Sequence, residues 1–295
     1  MSSPSQANFL LIDGVLRQDA AASLYQRGES LEVWPLYIGT RWAELHDLGP
    51  ILVSTQGSSP LLSEWHKSLS QKSDACALFS HAPMSAVADH LRNFICPPDH
   101  NGNTGLLRFA DPLVTHFWLS SYGPVHLNRV LGPIETIWVK APVHTWQPKD
   151  GELLTPFTRT QSTEAPDSKF DLLGEVQIKA LELAYRWQFK ERLYAWLNTR
   201  DTQTFSLLND DQTEWWLEYV LNSGSAWGLV SERGLVTWAE TCVDWGRDFT
   251  TRPDSPYQEW LRLKPENGRL APELRIEALD DYRQQQLEAK DTTNA

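Results

Sequence analysis

The chain of 295 residues is 41% hydrophobic and 22% charged, a globular balance that excludes a disordered polymer and leaves room for two ordinary domains. Its formal net charge of −12 excludes an electrostatic nucleic-acid binder, which needs a basic footprint. Residues 1–140 hold 12 acidic and 9 basic residues and the remainder 26 and 17, so the acidity is concentrated in the second part. That excess reads first as a soluble surface and second as a field for a basic partner.

The chain order begins with an apolar run, Phe9 to Ile12, bounded by Asp13-Gly14, which predicts a strand. Val15 to Tyr25 predicts a helix ending before Gly28. Val33 to Ile38 is a strand candidate, and Thr40 is placed to cap a short helix through Leu45. Ile51 to Val53, after a Gly-Pro break, predicts another strand. Leu61, Leu62, Trp65 and Leu69 recur at helical spacing. Cys76 to Phe79 predicts a strand, and a helix from Ser85 sets Val87, Leu91 and Phe94 or Ile95 on one face. Leu106 to Phe109 reads as a buried strand carrying Arg108. Asp111-Pro112 then starts a helix, with Asp as N-cap and Pro at the first helical position. Arg108 and Asp111 form a local ion pair in this reading, a structural corner with Arg92 upstream in His90-Leu91-Arg92. Gly123-Pro124 breaks the chain before a helix from Val125 to Leu131, and Ile134 to Val139 predicts a strand. The β–α alternation permits parallel pairing, and the strand order stays open.

Residues 141–169 are dense in Pro, Thr, Ser, Lys and Asp and read as a connector, with a hairpin arm at Lys149-Asp150-Gly151. From Leu172 the pattern turns helical: Val176, Ala180, Leu183, Trp187, Tyr194 and Leu197 share a stripe. Trp215 to Leu221, Leu235 to Trp245 and Ile276 to Leu287 continue it. The class is therefore α+β: a mixed α/β lobe over 1–140, the connector, and an all-helical lobe over 170–295.

No catalytic or metal-binding motif emerges, and no cofactor is implied. The eight histidines lack H-x3-H or H-E-x-x-H spacing, and Cys76, Cys96 and Cys242 are too scattered for a disulfide framework or a zinc site. Asp210-Asp211 precedes a helix, where it favours the macrodipole. No apolar run is long enough for a membrane helix, and no secretory signal precedes the first strand, so a reduced, cytoplasmic protein is expected. The chain holds 14 tryptophans, most of them read as core. Trp215 and Trp216 cannot both face inward, since helical neighbours point about 100° apart. One of them is expected to contact a partner.

Taken in order, several short motifs carry a resemblance. They are Leu11-Ile12-Asp13, Leu36-Tyr37 with Gly39, Leu48-Gly49-Pro50, Ser59-Pro60-Leu61-Leu62, His90-Leu91-Arg92, Arg108-Phe109-x-Asp111-Pro112 and Leu131-Gly132-Pro133. A weaker echo runs through Trp227-Gly228-Leu229, Asp248-Phe249 and Arg275-Ile276-x-x-Leu279. Together they resemble the effector adaptors, or effector chaperones, of the bacterial type VI secretion system (the Tap/Tec family). The family's corner has Arg after Asp-Pro, whereas this chain has Leu113. The resemblance implies a cytoplasmic, non-enzymatic protein that binds a toxic effector and helps load it on the spike protein at the tip of the secretion tube. A toxin-inhibiting immunity protein, or a hydrolase whose site assembles only in three dimensions, stays open as an alternative.

Overall fold

A computed structural model describes residues 4–55, 59–69, 73–99, 101–148, 153–160, 172–200 and 204–294, with side chains through 288. The expected arm at Lys149-Asp150-Gly151 lies outside these. The chain divides into two compact units, one of Met1–Val143 with Lys149–Arg186, the other of His144–Pro148 with Trp187–Ala295.

The first unit is built on six strands: β1 (Phe9–Asp13), β2 (Glu32–Pro35), β3 (Pro50–Ser54), β4 (Ala75–Phe79), β5 (Thr136–Lys140) and β6 (Leu154–Thr158), in the order β2-β3-β1-β4-β5-β6. All five pairings are antiparallel, so the parallel pairing that the alternation permits is not used. Among the described residues, five α-helices belong wholly to this unit: α1 (Ala20–Tyr25), α2 (Pro60–Ser68), α3 (Met84–Arg92), α4 (Pro112–Ser120) and α5 (Pro124–Leu131).

Strand alternation explains why β1 reads as an unbroken apolar run. Phe9 and Leu11 enter one core with Leu52, Leu78 and Val139, beneath Val87, Leu91, Val114 and Trp118 of α3 and α4. Leu10 and Ile12 enter a second core with Ile51, Val53 and Trp138, against Leu24 of α1 and Leu61 and Trp65 of α2. Both faces of the sheet are covered, so a strand needs no polar side.

One expected strand is absent. Leu106 to Phe109 joins no ladder; the Leu107 N–H donates to the Ile95 carbonyl at 3.1 Å. Leu107, Phe109 and Ala110 are nonetheless buried. The apolar run reports burial, which a strand and an irregular core segment share.

The second unit is helical. It holds the later part of α6 (Glu175–Arg200), then α7 (Asp210–Trp227), α8 (Glu232–Trp245), α9 (Pro256–Leu263) and α10 (Pro272–Asn294). Its core gathers Phe189, Leu193, Leu217, Val220, Trp238, Trp245, Phe249, Trp260 and Ile276. Asn209 and Gln212 form a reciprocal capping box at α7, and Ser231 and Ser255 cap α8 and α9. At Gly224 a Cβ would meet Leu235 at 2.9 Å, so glycine permits the close approach of α7 and α8. The short helix α9 escaped the periodicity reading, although Ser255-Pro256 is a cap followed by a first-turn proline.

Candidate functional site

In the first unit, four of the resemblance motifs meet at one corner at the end of β1: Leu11-Ile12-Asp13, Leu36-Tyr37 with Gly39, Leu48-Gly49-Pro50 and Arg108-Phe109-x-Asp111-Pro112. Asp111 caps α4, its Oδ1 accepting the Leu113 N–H at 2.9 Å. Its Oδ2 lies 3.3 Å from Arg108 Nη2, an ion-pair contact without hydrogen-bond geometry. The principal partner of Arg108 is Asp13, unforeseen from spacing because 95 residues separate them: Nη2 donates to both Asp13 oxygens at 3.0 Å. Asp13 Oδ1 also accepts from the Val15 and Leu16 N–H groups, which shapes the turn leaving β1. Burial pushes the Asp111 carboxyl above its ordinary value, Arg108 opposes that shift, and Asp13 adds to it. Among the described residues no histidine bonds to Arg108 or Asp111. Pro112 takes the first position of α4 and is buried.

Gly14, just after the first motif, and Gly49 mark close approaches between loops. A Cβ on Gly14 would meet the Asp47 carbonyl at 2.2 Å, and one on Gly49 would meet the Tyr37 ring at 2.5 Å. The two loops at this corner therefore interlock, and they carry the exposed apolar side chains Val15, Leu16, Leu45 and Leu48. His90 and Gly132 form a second lock. A Cβ on Gly132 would fall 2.4 Å from the His90 ring, whose Nε2–H donates to the Val130 carbonyl at 2.7 Å. Burial lowers the His90 pKa, against the pull of that carbonyl, and favours the neutral ring. Arg92 donates to Asp89 at 2.7 Å and to the Leu36 carbonyl at 3.4 Å, and its guanidinium lies 5.9 Å from the Trp34 ring.

In the helical unit the tryptophan pair divides. Trp216 packs against the core and meets Phe205 edge-on, with ring centroids 5.4 Å apart. Trp215 is 54% exposed. Elsewhere in this unit His144 is buried and stacks on both Trp146 and Trp187, with centroids at 4.1 and 4.5 Å. Its Nδ1–H donates to Glu191 at 2.6 Å. The buried Lys190 is held by Glu214 and Glu218. Burial pushes the Cys242 thiol up to about 12, and Arg247 only partly offsets it. Among the described residues no three His, Cys, Asp or Glu side chains gather as metal ligands, and no helix is long and apolar enough to cross a membrane.

Residues 8–129 match the family model of a domain of unknown function, DUF4123. The match ends within α5 and takes in the Asp13–Arg108–Asp111 corner. Comparison with curated proteins and with solved structures gave no match.

Proposed function

We propose that this protein is a non-enzymatic adaptor of a bacterial type VI secretion system. It binds one toxic effector in the cytoplasm and helps load it onto the spike protein. The observation that carries this reading is the match of residues 8–129 to DUF4123, a domain family associated with effector adaptors of that system. The corner supports it: Arg108 and Asp111 are engaged in holding a turn and capping a helix, with Asp13 as the counter-charge, which is a scaffold's use of these groups.

Docking by side chains suits this fold better than strand addition. The sheet's edge strands are β2 and β6, and they contain Pro35 and Pro156. Proline brings no N–H to an edge and blunts pairing there. In this proposal the apolar loops at the corner supply the shared part of recognition, and the helical unit supplies the partner-specific part.

The test is co-purification of the tagged full chain with the toxin encoded beside it and with the cognate spike protein. A stable complex containing all three is expected. Failure to bind the toxin would overturn the adaptor reading. A toxin complex that neutralises the toxin and excludes the spike protein would make the chain an immunity-type inhibitor instead.

A further inference from the structure

Trp215 and Tyr219 stand one turn apart on α7, at i and i+4, where side chains share a face. Their rings stack at a centroid distance of 5.4 Å and an angle of 26°, and both are exposed. Arg247, just beyond the end of α8, brings its guanidinium to 4.5 Å from the Trp215 ring and 5.3 Å from the Tyr219 ring. Trp238, Trp245 and Trp260 of the same unit fill its core, so Trp215 withholds from the core an area that its neighbours contribute.

Among the described residues Arg247 has no carboxylate within ion-pair distance. Its neighbour Asp248 faces Arg252 instead, at 3.4 Å. A guanidinium stacked on an aromatic face keeps its in-plane N–H donors available, and those donors match a carboxylate bidentately. Stacking also pre-orders the long side chain, so less freedom is lost on binding.

We propose that Trp215, Tyr219 and Arg247 form a docking platform for an extended protein segment that places a carboxylate beside an apolar side chain. The carboxylate takes the Arg247 donors, and the apolar group lies on the two rings. A protein segment fits better than a nucleic acid: one carboxylate meets one cation, whereas a polyanion would meet a unit that holds 19 acidic residues against 12 basic ones. The adaptor reading identifies the segment as part of the bound toxin, and to that extent the inference rests on it.

The experiment measures binding of the purified toxin to the full-length chain by calorimetry at two salt concentrations, with thermal melts as a folding control. Trp215→Ala and Arg247→Glu should each weaken binding by about thirtyfold, the size of an interface hot spot, with melts unchanged. Arg247→Lys should fall between Arg247→Glu and the unaltered chain, because lysine keeps the charge and loses the planar fork. One Asp or Glu to Lys change in the toxin should restore binding to the Arg247→Glu variant. Binding within about twofold for all three variants, with the unaltered chain binding well, overturns the platform and leaves the adaptor reading standing. No binding by the unaltered chain overturns both. Arg247-dependent binding of a 20-nucleotide single strand in fluorescence anisotropy also overturns the proposal, since the occupant would then be a nucleic acid.

Discussion

Asp111 caps α4 through one oxygen and faces the Arg108 guanidinium with the other, so its two roles can be separated by substitution. Asp111→Ala removes both, and the lost cap alone should cost about 0.5–2 kcal/mol. Asp111→Asn keeps an acceptor for the Leu113 N–H and should cost less; equal urea midpoints for Asn and the unaltered chain, with Ala well below, would fit. Its pH signature follows from burial, which raises the folded-state pKa. The folded chain then holds the Asp111 proton more tightly than the unfolded one, so this group favours folding increasingly as the pH drops through the carboxylate range. Glu191 has the opposite sign. Burial would raise its carboxyl, but the His144 ring N–H at 2.6 Å and the Thr145 N–H at 3.0 Å overcome burial and hold it below its ordinary value. Its contribution is complete above the ordinary carboxylate pKa and is lost as pH falls through the lowered folded value. Urea midpoints taken from pH 7 down to pH 3 should therefore decline less steeply for Glu191→Gln than for the unaltered chain. Parallel declines would remove Glu191 from the acid response.

At the scale of elements, the turn between α5 and β5 is the most exacting. Gly132 has φ +54° and ψ −115°, a conformation that side chains disfavour, and it lies against the His90 ring. Gly132→Ala should lower stability by more than about 1 kcal/mol. Adding His90→Ala should recover the part due to the clash and leave the backbone part, so the double variant should melt above the sum of the single losses. Strict additivity would mean that the ring shifts freely and that strain alone limits the turn. Sequence made this turn visible as Leu131-Gly132-Pro133, and it made visible α2, α3, α4 and the strands buried on both faces, because their burial periodicity is local. It misread Leu106 to Phe109, where burial without a ladder gives the same apolar run. It also missed β6, whose Leu-Thr-Pro-Phe-Thr carries a proline that demotes a strand in any pattern reading. Partners chosen by the tertiary fold, such as Asp13 for Arg108 and Arg247 for Trp215, leave no trace in spacing. Only the residue types were legible there, an Arg near an Asp and one outward Trp of two.

At the scale of the whole molecule, the two units contain separate hydrophobic clusters, and each has its own fastening. In the helical unit that fastening is Arg283 of α10, fully buried against Glu240 and Asp244 of α8 at 2.5 and 2.7 Å and against Asp280 at 2.6 Å. Arg200 of α6 reaches the same Asp244 at 2.6 Å, and the Trp196 ring N–H donates to Glu240 at 2.8 Å, so three helices meet in one charge network. Removing a buried charge leaves its partners uncompensated, and Arg283→Ala should cost about 3–5 kcal/mol, far more than a surface pair would. Replacing Arg283 with Met should cost less in packing yet still strand the carboxylates. Because the clusters are distinct, the loss should stay local. Hydrogen exchange should speed up at the amides of α7, α8 and α10 in Arg283→Ala while β1, β3 and β4 keep their protection. Gly132→Ala should give the converse pattern, with the sheet and α3 opening and the helical unit unaffected. If either substitution instead accelerates exchange equally across both units, the chain unfolds as one cooperative body, and the two contact regions proposed above cannot be tuned independently.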